Sequence, residues 1–362
     1  MPHLQDINTN KIRGLIAFLG SKSLQNAYIA SFNRPELQDS NYHQLIYELN
    51  LQSNIDQAVE KINFWKSMGI TIVSLGEEHY PQKLKNIFNP PILLFLRGEE
   101  DNLKKLKFSL GVVGSRKADS FGCELSLEYS EYAAERGICI VSGLAFGVDT
   151  YAHRGALRSS SQFPTIAVLG NGLESIYPSA NRQLAQDIVE RGGLVISQFR
   201  PEERPFAQNF LNRNRIIAGL SDATLVIQAP EKSGSLVTAR YALEEGRDIL
   251  VIPGAVNDPR YTGSNKLIKS GAHIVCRQID ILDFYSSLPI ETLADKLSLE
   301  IHGLSHDQKI VISRLKKDVK VHIDQLENSF SDRSNLSAAL LELELEGIIR
   351  QEPGNFIRLV KR

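Results

Sequence analysis

A chain of 362 residues, 42% hydrophobic and 23% charged, carries enough apolar material for two or three packed domains and is not the composition of a disordered polymer. A formal net charge of -1 excludes a globally basic nucleic-acid binder, so a polyanionic partner has to be held by a local cluster. Cys123, Cys139 and Cys276 form no C-x-x-C pair and read as thiols of a reducing compartment.

The start of the chain, "MPHLQDINTNKIRG", has no apolar secretory segment, and no run approaches the ~20 apolar residues that span a bilayer. A cytoplasmic location without membrane insertion is expected. Residues 1–65 alternate short apolar stretches such as "GLIAFLG" with polar turns and predict a small N-terminal helical domain of the SAM-like kind. A strand "ITIVSL" follows, and Pro90-Pro91 force an extended path into the apolar "ILLFL".

From Phe108 the runs "LGVVG", "ICIVSG", "TIAVLG", "GLVIS", "ATLVIQ" and "DILVIPG" alternate with helical segments. That alternation predicts an α/β, Rossmann-like, doubly wound and mainly parallel sheet over residues 66–285. Residues 286–300 read as a linker. Over 301–362 three helical segments and two strands around a Pro-Gly turn outline a C-terminal winged-helix domain. Its last helix, "NLSAALLELELEG", carries Glu342, Glu344 and Glu346 and no cation, a poor composition for a DNA groove.

In a parallel sheet, ligands sit at the carboxyl ends of strands, where glycines allow close approach and helix N-termini present free N–H groups. Four such loops recur here. They offer Gly114, Ser115 and Arg116; Ser142, Gly143 and Gly147; Gly170 and Gly172; and Lys232, Ser233, Gly234, Ser235 and Thr238. Hydroxyls, amides and two cations suit an anion, and the set predicts a phosphate-binding edge. "EKSGSLVT" is not a Walker loop, since its Lys precedes the glycine, and no spaced G-x-G-x-x-G follows the first strand. Neither a cofactor, a metal nor a catalytic residue is expected.

In "FLNRNRIIAGLS", Arg213, Asn214 and Arg215 precede "IIAGL" and read as the start of a helix beside the ligand edge. Paired guanidiniums there suit adjacent phosphates, which Arg grips in a fork; the alternative is one Arg paired with Asp222 and the other solvated. Phe210, Phe146 and Phe206 are candidates to stack on a base or to fill the core. Asp149 and His153, four residues apart, form either an acid–base pair or a helix-end carboxylate beside an unrelated imidazole.

The ordered series "VVGSR", "SGLAFGVDTYAHRGAL", "TIAVLGNGLESIYP", "RNRIIAGLS", "KSGSLVTARYALEEGR" and "VIPG" resembles the DprA family, the DNA-processing proteins of bacterial natural transformation. The resemblance implies a homodimer that binds single-stranded DNA and loads the recombinase RecA on it, with no established catalytic reaction. It also implies that the glycine and serine loops, Arg116 and Lys232 contact DNA phosphates. Leu211 stands where the family usually has proline, and Gln198 where an acid is common. The alternative is a nucleotide-binding or nucleotide-hydrolysing Rossmann-like enzyme, but the P-G-G-x-G-T-x-x-E motif of the phosphoribohydrolases is absent.

Overall fold

The computed structural model describes residues 8–33, 47–286, 305–315, 321–327, 330, 333–345, 349–352 and 354–359. The linker expected at 286–300 lies outside them but for its first residue. The chain divides into two compact units, residues 1–278 and 279–362.

In the first unit the order is α1 (Thr9–Leu19), α2 (Lys22–Asn33), α3 (Gln52–Ser67), β1 (Thr71–Ser74), α4 (Gln82–Lys85), β2 (Leu93–Arg97) and β3 (Phe108–Gly114). Then come α5 (Ser120–Glu135), β4 (Ile138–Ser142), α6 (Val148–Arg158), β5 (Thr165–Val168), α7 (Arg182–Glu190), β6 (Leu194–Ser197) and α8 (Ala207–Leu220). The unit closes with β7 (Ala223–Ile227), α9 (Gly234–Glu244), β8 (Asp248–Val251), α10 (Thr262–Lys269) and β9 (His273–Ile274).

Among the described residues these strands form one nine-stranded sheet in the order β1-β2-β6-β5-β4-β3-β7-β8-β9. The stretch from β6 to β9 is parallel throughout. Strands β4, β5, β6 and β7 are buried along their whole length, as expected of β-branched runs covered by helices on both faces. Antiparallel pairing adds β2 to β6 and β1 to β2, an extension that the alternating pattern does not contain.

The N-terminal helices share the core of this sheet. Trp65 of α3 meets Phe95 of β2 with ring centres 5.2 Å apart, and Phe18 of α1 reaches the same ring at 5.7 Å. Helix α1 can approach so closely because Gly14 has no side chain: a methyl there would lie 2.7 Å from Cβ of Ser74.

The second unit contains α11 (Ile279–Ser286), α12 (His306–Arg314), β10 (Val321–His322), α13 (Asp324–Glu327), α14 (Arg333–Leu345), β11 (Ile349–Glu352) and β12 (Phe356–Leu359). Its antiparallel sheet has the order β10-β12-β11. Leu336, Leu340 and Leu343 of α14 enter its core with Val311, Ile349 and Ile357. Two of the glutamates of α14 are engaged within the unit. Glu342 accepts from Gln308 at 3.0 Å, and Glu344 accepts from the backbone N–H of Gln351 at 3.0 Å.

Candidate functional site

The chain runs from β3 outward through β4, β5 and β6, then crosses by way of α8 to β7 on the other side of β3 and continues outward through β8 and β9. The pair β3 and β7 is therefore the topological switch point, and the crevice outside its carboxyl ends is where open α/β sheets take ligands. The loop carrying Arg116 ends β3, and the loop carrying Lys232 follows β7.

The Arg116 loop is held from below by Gln228, which the sequence reading missed. Gln228 is fully buried at the end of β7, and its backbone is in the left-handed region, φ 47°, a conformation that costs a non-glycine residue about 1–3 kcal/mol. Its carbonyl accepts from Ser115 N at 2.9 Å. Its carboxamide accepts from Asp119 N at 3.0 Å and donates to Asp119 Oδ1 at 2.9 Å. Asp119 in turn caps α5, accepting from Gly122 N. The sequence signal was a lone carboxamide ending the apolar run "ATLVIQ".

Most of the strand-end glycines serve packing within the protein. A methyl on Gly143 would lie 2.6 Å from the guanidinium of Arg213, and one on Gly170 would lie 2.6 Å from the ring of Phe210. At Gly147, φ 70°, it would strike the backbone of Ser115 and Arg116; at Gly172, the carbonyls of Arg200 and Pro201; at Gly114, the carbonyl of Ile227 and the side chain of Val148. Gly234 differs: nothing lies within 4 Å of its missing side chain, and it opens α9 to solvent.

Several predicted hydroxyl donors are turned inward. Ser142 is buried and donates to the carbonyl of Val112 at 2.7 Å, and Ser235 and Thr238 are buried as well. Ser233 caps α9, with its Oγ 2.6 Å from that of Ser235. Ser115 is half-buried and accepts from Lys117 N at 3.1 Å. Arg116 and Lys232 are exposed.

Arg213, Asn214 and Arg215 do not begin a helix. Helix α8 starts at Ala207, so they lie within it, and Arg213 is 2% exposed. Its Nη1 donates to the carbonyl of Gly143 at 2.7 Å and to that of Val168, tying together the ends of β4 and β5. Asn214 bridges inward, accepting from Arg213 Nε at 3.2 Å and donating to the carbonyl of Gly234 at 3.3 Å. Arg215 donates to the carbonyl of Asn89 and to Gln198 Oε1. Asp222 pairs with Lys83 at 2.6 Å rather than with either arginine.

Asp149 and His153 do not form an acid–base pair. Asp149 accepts from Gly143 N at 3.2 Å, and burial raises its pKa against the opposing pull of Arg213. His153 is fully buried. Its Nδ1 lies 2.7 Å from Oγ1 of Thr165, whose hydroxyl donates to the carbonyl of Ile140, so Nδ1 is the donor. Burial pushes this imidazole down to about 3.

What remains at the surface is a cation against a pair of aromatic rings. Phe210 is half-buried, and the guanidinium of Arg116 lies over its ring, 5.2 Å from the centre. Tyr177, which the sequence reading did not single out, is 45% exposed with its ring centre 5.5 Å from that of Phe210. Phe146, 50% exposed, and Phe206, 56% exposed, stand on the loops that lead into α6 and α8. Among the described residues no group of three or more His, Cys, Asp or Glu side chains is placed to hold a metal ion, and no helix is long and apolar enough to cross a membrane.

The family profile of "DNA recombination-mediator protein A" matches residues 71–286 of this chain. Protein Smf of Escherichia coli is 36% identical over 310 residues, which is 80% of this chain and 77% of that protein. The chain belongs to the recombination-mediator protein A family. The crystal structure of DNA processing protein A from Streptococcus pneumoniae superposes with a TM-score of 0.60 at 33% identity, covering 76% of this chain and 98% of that one. DNA processing protein A from Helicobacter pylori, described for its single-stranded DNA binding mode, gives a TM-score of 0.53 at 27% identity over 60% of this chain and 96% of its own.

The recombination-mediator fold also leaves a cleft of about 920 Å³ on another side of α8. Of the residues predicted for the phosphate edge only Arg215 lines it, and the charges around it balance: Lys22, Arg200 and Arg215 against Glu203, Glu244 and Glu245.

Proposed function

We propose that this protein is a single-stranded DNA-binding recombination mediator that holds the strand at the switch point, protects incoming DNA in natural transformation and loads RecA upon it as a cytoplasmic homodimer. One observation carries the reading: an exposed Arg116 at the end of β3 whose guanidinium lies over the ring of Phe210, which itself meets the exposed Tyr177. Phosphate needs the cation, and unstacked bases need the rings, a combination typical of single-strand sites. Membership of the family and the H. pylori relative named for binding single-stranded DNA support the same polymer.

In this reading Ser115, Arg116, Lys232, Ser233 and Gly234 face the phosphates, while Gly114, Ser142, Gly143, Gly147, Gly170, Gly172, Arg213, Asn214, Arg215, Ser235 and Thr238 shape the loops from behind. No bond-breaking step is assigned: Asp149 and His153 are both buried, and each is held by an internal partner, Gly143 N for Asp149 and Thr165 at Nδ1 for His153. The second unit is assigned as a winged helix for protein contact or regulation, since α14 offers its apolar face to the core and carries no cation beyond Arg333.

The test is fluorescence anisotropy with labelled oligo-dT and a matched duplex over a salt series. The expected result is a salt-sensitive preference for the single strand, with the slope of log affinity against log salt reduced by ~0.7 in Arg116→Ala, one phosphate contact. A preference for duplex that is indifferent to Arg116 and to Lys232→Ala would sink the reading.

A further inference from the structure

A second exposed arginine reaches the loop that carries Arg116. Arg260 stands in the short turn Pro259–Tyr261 between β8 and α10, its side chain 48% exposed, and a cation so placed invites a second phosphate contact. Its bonds point elsewhere. Nε donates to Asp258 Oδ1 at 2.9 Å and Nη2 to Asp258 Oδ2 at 2.6 Å, while Nη1 donates to Asp119 Oδ2 across 141 positions of sequence. Two carboxylates around one guanidinium leave a net negative charge, which repels phosphate.

Both ends of this bridge are anchored. Asp119 Oδ1 accepts from Gly122 N and from Gln228 Nε2, each at 2.9 Å, and Oδ2 takes Arg260. Behind Arg260, the start of α10 is fastened to the end of β7: Gly263 N and Ser264 N donate to the carbonyl of Ala229 at 2.9 and 3.1 Å, and Ser264 Oγ accepts from Ala229 N at 2.9 Å. A methyl on Gly263 would lie 2.7 Å from the carbonyl oxygen of Pro230, so the close approach depends on glycine. Asn265 adds two bonds to the backbone of Gly254, at 3.3 and 3.1 Å. The turn that carries Arg260 is therefore a firm base, and the Arg116 loop is gripped at Asp119 from two sides, by Gln228 and by Arg260. A loop held in this way spends less of its binding energy on ordering when a ligand arrives.

We propose that Arg260 is a positioning residue for Arg116: through Asp119 it ties the loop after β3 to the turn after β8, and it makes no phosphate contact of its own. The inference rests on the reading of Arg116 as a phosphate contact. Ion pairs as exposed as this one contribute little to global stability, so the bridge acts on the geometry of the loop and not on the fold.

The experiment removes the bridge without changing net charge. Arg260→Gln combined with Asp258→Asn deletes one cation and one anion, and is expected to weaken oligo-dT binding about two- to fivefold with no further loss in an Arg116→Ala background. Hydrogen exchange should quicken at the amides of Ser115 and Asp119, which donate to Gln228, while the thermal midpoint stays in place. Wild-type affinity in the double variant, or an equal loss in the Arg116→Ala background, overturns the proposal. Should the double variant not fold, Asp119→Asn keeps the helix cap but gives up the ion pair. Removing a negative charge beside a phosphate site would by itself strengthen binding, whereas the proposal expects a loss, so binding that is unchanged or stronger overturns it. Quickened exchange with full affinity for oligo-dT would strike this inference alone, and failure of the wild type to bind oligo-dT would strike the proposed function and this inference with it.

Discussion

Arg213 Nη1 donates to the carbonyl of Gly143 at 2.7 Å across 70 positions of sequence. Together with the bond to Val168, it fastens the ends of two neighbouring strands from within helix α8. Burial lowers the pKa of this guanidinium to about 10, and Asp149 opposes that shift. The charge is therefore retained at neutral pH in the interior. Arg213→Met keeps much of the volume but strands two buried carbonyls, and the expected loss is about 3 kcal/mol of stability, read from urea denaturation. A variant as stable as the wild type would show that the carbonyls find other donors.

Two glycines in these loops are expected to respond in opposite ways. Gly147 has φ 70°, and a methyl there would meet the backbone of Ser115 and Arg116. Gly147→Ala should cost about 2–4 kcal/mol from backbone conformation and overlap together. Gly234 has open space where its side chain would be and begins a helix. Gly234→Ala should leave the thermal midpoint unchanged or slightly raised while weakening single-strand binding. Thermal melts and anisotropy on the same two preparations decide it, and a Gly234→Ala variant with full affinity removes that loop from the site.

The parallel centre of the fold was legible because each strand carries its own signal: "ICIVSG" and "ATLVIQ" are β-branched runs buried on both faces, and they became β4 and β7. The roles of Arg213 and the glycines were not, because they are set by partners far away in sequence. An arginine is ordinarily exposed, and nothing near position 213 announces the carbonyls of Gly143 and Val168. Likewise Gly170 looks like any phosphate-loop glycine until Phe210, 40 positions later, is seen lying on it. Tyr177 escaped because a single aromatic residue in a loop has no periodicity to mark it.

Stability below neutral pH should carry the signature of His153. Its folded value of about 3 lies below the ordinary 6.5, so between those two values the unfolded chain binds a proton that the folded one does not. Stability is then fully present above 6.5 and falls as pH drops toward 3, at up to about 1.4 kcal/mol per pH unit from this group. Asp149, with its folded value raised, has the opposite sign: its contribution is present at low pH and is lost as pH rises through that folded value. Urea melts at pH 7, 6, 5 and 4.5 for the wild type and His153→Gln separate the two. The variant should lose less stability per unit on acidification, and parallel curves would contradict a neutral buried imidazole.

Under the proposed function Tyr177 offers a base a ring that is 45% exposed and stands 5.5 Å from Phe210. Stacking a base on an aromatic side chain contributes about 1–3 kcal/mol, so Tyr177→Ala should weaken oligo-dT binding by about five- to a hundredfold. The same substitution should leave affinity for an abasic strand nearly unchanged, because the phenol ring has nothing to stack on there and the cation at Arg116 is untouched. Tyr177→Phe should bind as the wild type, which separates the ring from its hydroxyl. Equal losses on the two strands would instead mean that Tyr177 supports the Phe210 and Arg116 pair from the side, and the base contact would then have to be sought at Phe146.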